Sequence, residues 1–343
     1  MKNLKLLTLL ASLLACALVI SGNAQAAAYA VATENLKNGF IVATVNGVFQ
    51  PPVNPFLNFG TPVYSSFSSA KLAGLGTSDS QSSSPPTLPP NALASNGKGS
   101  KPPRFNETVF PSGGGNVYYM LFGKAPTDYS WGDAIVVSEQ TASIPIEARD
   151  AAESNVASTG SAAAASAGNE VRFNSLTVSP SCGIVGTICS IDFSFLADPN
   201  LLVSLDKLAG PGSFVRGTLA FSITLTKVGD AIPTFAWAPD GAPGGIFGGT
   251  ETADSEDLNL TREVLLGGDP DAEHSGPYGG DVFGSFGAFT DALMPGTYTL
   301  VLSMPEHTDV RLAAVPEPAT LALLSLGFGV LGFVGRKKKA LLS

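Results

Sequence analysis

The sequence predicts a mainly β protein, a β-sandwich of jelly-roll or Ig-like type with long Gly/Pro/Ser-rich loops. Three observations carry that expectation. Several runs alternate apolar and polar residues with a period of two, as half-buried strands do. Gly and Pro number 38 and 25 among 343 residues, about 18% against an ordinary share of roughly 12%. Between the two ends of the chain, no long stretch keeps a helical period.

The strand runs follow one another along residues 39–49, 116–122, 134–138, 170–178, 190–196 and 213–228. In the last of these, Leu219, Phe221, Ile223 and Leu225 alternate with Ala220, Ser222, Thr224 and Thr226. After a Pro295-Gly296 corner, Tyr298, Leu300 and Leu302 fall on one face of a further strand, a common way to begin a closing strand. Residues 77–103 are rich in Ser, Pro and Gly and nearly free of large apolar groups, so they read as a flexible loop that cannot offset its ordering entropy. Residues 151–168 are dominated by Ala interrupted by Ser, Gly, Thr and Asn; they read as a loop or a small-residue strand edge, with helix the competing choice.

The two ends have a different character. Lys2 and Lys5 precede an apolar run from Leu6 to Ile20, and small residues surround Ala24-Gln25-Ala26, the three-part layout of a secretory signal peptide over residues 1–26. Cleavage after Ala26 or after Ala28 satisfies the small-x-small rule, with Ala26 preferred. Leu13-Leu14-Ala15-Cys16 also has the form of a lipobox, but the apolar run continues beyond Cys16 to Ile20. At the other end, residues 319–335 are 17 positions without a charge, about 25 Å as a helix, enough to cross a thin bilayer. Arg336, Lys337, Lys338 and Lys339 follow, a basic anchor that places the terminus on the cytoplasmic side and the body outside.

Pro316, Glu317 and Pro318, a short apolar span and a basic cluster in that order closely resemble the PEP-CTERM sorting signal. The resemblance is confined to residues 316–343, and the family of the body at 27–315 is not identified by it. It implies a Gram-negative bacterium and a partner, exosortase, a membrane-embedded enzyme that recognises such tails. It also implies an inner-membrane-anchored intermediate that reaches the cell surface or exterior, and an association with exopolysaccharide and biofilm. On this reading Pro316, Glu317 and Pro318 are a substrate motif. Proline fixes φ and disfavours helix in the residue before it, so the motif is expected to stand extended and accessible.

Six of the 19 basic residues and one of the 28 acidic residues lie in the two ends, leaving the body at about −14 against −9 for the whole chain. Such a balance excludes a nucleic-acid partner, which calls for clustered Lys and Arg. Cys182 and Cys189 are the two cysteines outside the leader, and in an oxidising compartment their spacing reads as a disulfide closing a small loop.

For catalysis the sequence offers little. Gly284-Ser285-Phe286-Gly287 is one residue short of a nucleophile elbow, and His274 and His307 are the only histidines. Neither H-E-x-x-H, a Walker A loop nor G-x-G-x-x-G occurs. No catalytic, cofactor-binding or metal residue is assigned. Calcium is left open by the acidic stretch of Glu251, Asp254, Glu256, Asp257, Glu263, Asp269, Asp271, Glu273 and Asp281. As an EF-hand that stretch fails, with His274 at the glycine position and Gly280 at the bidentate acid. Trp131, Trp237, Tyr118, Tyr119 and Tyr129 are the rings that could stack on sugars, with core packing the competing role. The expected function is a non-catalytic cell-surface or extracellular-matrix protein; the alternative is a secreted protein that binds or cleaves carbohydrate.

Overall fold

A computed structural model describes residues 26–51, 54–83, 91–97, 127–137, 144–265, 271–274 and 283–313. The leader, except Ala26, and the tail from residue 314 lie outside them, as does the span expected at 319–335. Among the described residues no helix is long and apolar enough to cross a membrane.

The described chain forms two antiparallel sheets, with strands numbered here in chain order. The first runs β15 (Gly249–Asp254), β18 (Gly284–Thr290), β10 (Cys189–Leu205), β1 (Ala28–Val45), β8 (Ile144–Val156), β7 (Tyr129–Val137) and β6 (Asn91–Gly97). To it β2 (Val48–Gln50) adds along β1 and β17 (Asp271–His274) along β10. The second runs β14 (Ile246–Phe247), β13 (Phe235–Trp237), β12 (Ser222–Lys227), β19 (Gly296–Leu312), β9 (Ser161–Val178), β4 (Pro62–Leu72) and β5 (Leu75–Ser83). On it β11 (Phe214–Leu219) lies between β19 and β16 (Thr261–Leu265), and β3 (Leu57–Asn58) pairs with β9. These strands outnumber the seven to nine of an Ig domain and the eight of a jelly roll.

The sheets pack face to face, and alternation decides which residues meet. Along β19 every even position from Tyr298 to Leu312 is buried, while the odd ones are at least partly open. On β10 the odd positions from Cys189 to Leu205 are buried, and the even ones as far as Leu202 are at least partly open. Strand β1 begins with even positions inward (Ala28, Ala30, Ala32, Glu34, Leu36), then slips at a bulge between Lys37 and Phe40. Asn38 sits there at φ 50°. Beyond it Ile41, Ala43 and Val45 face inward, and Phe40 is turned outward, 40% exposed.

Two parts of the chain with loop-like composition are strands. Residues 75–83 pair with β4 and residues 91–97 with β7, so the expected flexible loop over 77–103 gives way to strands wherever it is described. The edges of opposite sheets are joined there: Thr77 Oγ1 donates to the Ser95 carbonyl at 3.1 Å and Asn96 Nδ2 to that of Leu75 at 2.7 Å. The Ala-rich stretch at 151–168 is a hairpin of two interior strands, not a sheet edge. It ends β8 at Val156, turns at 157–160 and begins β9, which lies between β4 and β19, with Ala163, Ala165 and Ala167 inward. Small residues let opposite sheets approach: Cα atoms of β7 and β9 come within 8 Å, closer than the usual ~10 Å between stacked sheets. Gly132 is required at that contact, because a Cβ there would overlap the Ser166 carbonyl oxygen.

Candidate functional site

On the outer face of the first sheet, a groove of about 720 Å³ opens where β1, β10 and β18 run side by side. Register places Val42 beside Asp192 and Asp192 beside Phe289; one pleat along, Phe40 lies beside Ser194 and Ser194 beside Gly287. Phe49, Gln50 and Pro51, from β2 and the residue after it, form a wall, and Thr252 closes the far side. Phe49 is 69% and Phe289 36% exposed. Partial burial raises the Asp192 carboxyl above its usual range, since charge is disfavoured where water is displaced. The result is an open cleft with aromatic rings on β1 and β18 and hydrogen-bonding groups on the strand between them.

A second cluster lies between the sheets and is sealed. Glu34 on β1 and Asp150 on β8 stand directly opposite one another, and Glu306 comes from β19 in the other sheet; the three are 0%, 0% and 1% exposed. Like charges directly opposed on a sheet are destabilising, so the cluster persists by holding protons. Burial, reinforced by the neighbouring carboxyls, pushes Glu34 and Glu306 well above the ordinary carboxylate range; for Asp150, burial is the raising influence. The Asp150 and Glu306 carboxyls lie within interaction range of one another, and the backbone N–H groups of Asn169 and Ala152 oppose the rise at Asp150 and Glu306 respectively. Beside them Ser66 Oγ donates to Asn169 Oδ1 at 2.6 Å, Asn169 Nδ2 to the Arg149 carbonyl at 2.8 Å, and Ser154 and Thr308 hydroxyls meet at 2.9 Å. This polar belt ties one sheet to the other and admits no substrate.

The rings singled out from the sequence occupy other places. Trp237 is 1% exposed, with Nε1 donating to Glu251 at 2.7 Å. Trp131 is buried at 2%, and Tyr129 and Tyr29 both donate their hydroxyls to Glu153, at 2.9 and 2.8 Å. Tyr118 and Tyr119 lie outside the described residues. Phe40 escapes a sequence reading because alternation from Ala28 points it inward, and only the bulge reverses it.

Several carboxylates of the acidic stretch brace loops. Glu251 also accepts from Gly244 N at 3.0 Å, Asp254 from Asp240 N and Gly241 N at 3.0 Å each, and Asp257 from Asn259 N at 2.7 Å. Among the described residues no group of three or more His, Cys, Asp or Glu is arranged to hold a metal ion; Asp269 and Asp281 fall outside them. Cys182 and Cys189 form the expected disulfide, their Cα atoms 5.5 Å apart. Pro316, Glu317, Pro318 and the basic residues Arg336, Lys337, Lys338 and Lys339 lie outside the described residues.

Comparison with known families decides the tail. Residues 314–339 match the model of the PEP-CTERM protein-sorting motif. The PEP-CTERM match is that of an exported protein processed at the membrane by exosortase, and it leaves the family of the β-rich body unidentified. No curated protein and no solved structure matches the chain.

Proposed function

We propose that this chain is a non-catalytic component of the cell surface or extracellular matrix of a Gram-negative bacterium. Exosortase delivers it there from an inner-membrane intermediate, and it associates with exopolysaccharide. The observation that carries the reading is the PEP-CTERM match at 314–339, placed directly behind a β-rich body. The closed acid cluster and the buried Trp131 and Trp237 support a non-catalytic role, since these carboxyls and rings are withdrawn from any glycan in solvent. In cells lacking exosortase the protein is expected to stay with the membrane fraction, tail intact. Replacing Pro316, Glu317 and Pro318 by alanine is expected to do the same, and normal release of that variant would overturn the reading.

The groove favours a second reading, saccharide binding. Phe40 and Phe289 offer ring faces, while Asp192 and Ser194 between them offer hydrogen-bonding groups, the combination that an amphipathic sugar ring requires. A glycan array probed with the protein released from cells tests it. Binding lost in Phe289→Ala supports this reading, and an array without any bound glycan rejects it.

A further inference from the structure

Both ends of the body leave it at one pole, held by a single turn. The backbone N–H of Asp206 donates to the Ala27 carbonyl at 2.9 Å, and Ser213 Oγ, seven residues on, accepts from Ala313 N at 2.9 Å. The hairpin before β9 adds Gly160 N donating to the Leu312 carbonyl at 2.7 Å. Thus residues 206–213 clasp the point where the leader joins and the point where the sorting tail departs. The small apolar cluster of Ala26, Ala28, Val156, Leu205, Val310 and Leu312 fixes these ends beneath the turn. On the surface of the same pole Leu208 is 60% and Leu75 74% exposed, with Lys207 and Lys71 exposed beside them.

Little chain separates this pole from the apolar run of the tail. Only residues 314–318 intervene between Ala313 and Ala319, about 17 Å when fully extended, and headgroups account for about 6 Å of that distance on one side of a bilayer. We infer that the pole built by residues 206–213 and the Leu72–Leu75 hairpin is a membrane-docking surface. It rests on lipid headgroups while the tail is inserted, with Leu208 and Leu75 entering the interface and Lys207 and Lys71 meeting lipid phosphates. The inference rests on the reading of 319–335 as a membrane span. The 17 residues of β19 then carry the opposite, disulfide-bearing pole about 55 Å from the docked one. The groove lies toward that outer end, because Asp192 is near the Cys189 start of β10 and Leu205 at its docked end.

The test uses the mature chain, residues 27–343, whose only native cysteines, Cys182 and Cys189, are bonded to each other, reconstituted into phosphatidylethanolamine/phosphatidylglycerol vesicles. An environment-sensitive dye is attached at Leu208→Cys or, at the opposite pole, at Val228→Cys, which replaces a residue 62% exposed. A lipid-borne quencher is expected to reduce the dye at 208 several-fold more than the dye at 228. Equal quenching, or stronger quenching at 228, in chains that float with the vesicles overturns the docking surface alone. Failure to float overturns the membrane-span reading, and docking with it.

Discussion

The disulfide end of the interior is filled by Phe59, Phe173, Phe193, Phe195, Phe235, Trp237 and Tyr298; the tail end is filled by Ala26, Ala28, Ala30, Ala163, Val156 and Val310. Both ends obey the same alternation, but side-chain volume sets a different spacing. Rings hold the sheets apart and stack across the gap, as Phe193 does on Phe235 at 5.2 Å and 23°. Where small side chains meet, strands such as β7 and β9 draw together until backbone meets backbone. Glu34, Asp150 and Glu306 lie where the two regimes join, between Leu36, Ala148 and Met304 on one side and Ala30, Ala152 and Val310 on the other. The contrast shows one sandwich stabilised by ring burial at one end and by close approach at the other.

The largest effect is expected at the aromatic end. Phe195 contacts Phe221, Trp237 and Phe286, and Phe195→Ala is expected to cost about 4 kcal/mol in denaturant unfolding. A cost below that of an ordinary surface change would mean the rings there are not cooperative. Next comes the close-packed region: Gly132→Val puts carbon onto the Ser166 carbonyl, and overpacking against rigid backbone is expected to cost about 3 kcal/mol. A tolerated substitution would show that the sheets can separate there without loss. Replacing Cys182 and Cys189 together by Ser is expected to remove about 2 kcal/mol, read as a lower midpoint under non-reducing conditions.

The boundary acids give a smaller effect of opposite sign. In the unfolded chain these carboxyls ionise in the usual range, whereas in the folded protein they keep their protons to higher pH. Above the unfolded range the native state therefore binds more protons, and stability falls as pH rises until the raised folded values are passed. Glu306→Gln should flatten that decline and raise Tm at neutral pH by roughly 3 °C, the equivalent of about 1 kcal/mol. An unchanged pH slope would show that the three groups do not act together. The smallest change in stability is expected for Phe49→Ala in the groove, within about 0.5 kcal/mol, since that ring is mostly in solvent already. A larger loss in thermal unfolding would mean that the wall is structural.

Much of this molecule is local and therefore legible in the chain itself. The inward rows of β10 and β19, the Cys182–Cys189 bridge and the tail motif each rest on residues near one another in sequence. The strands at 75–83 and 91–97 and the Ala-rich β9 are different, because Ser and Ala carry weak strand preferences that pairing partners override. Groove and acid cluster are less legible still. One depends on a single bulge at Asn38 that reverses Phe40; the other assembles Glu34, Asp150 and Glu306 from strands more than a hundred residues apart. Sequence by itself determined the β character, the disulfide, the acidic body and the sorting tail, because periodicity, spacing and charge order are properties of contiguous residues. Tertiary structure alone decided the spacing of the sheets, the sealed acids, the open groove and the shared pole of the two chain ends, because each depends on register between distant strands.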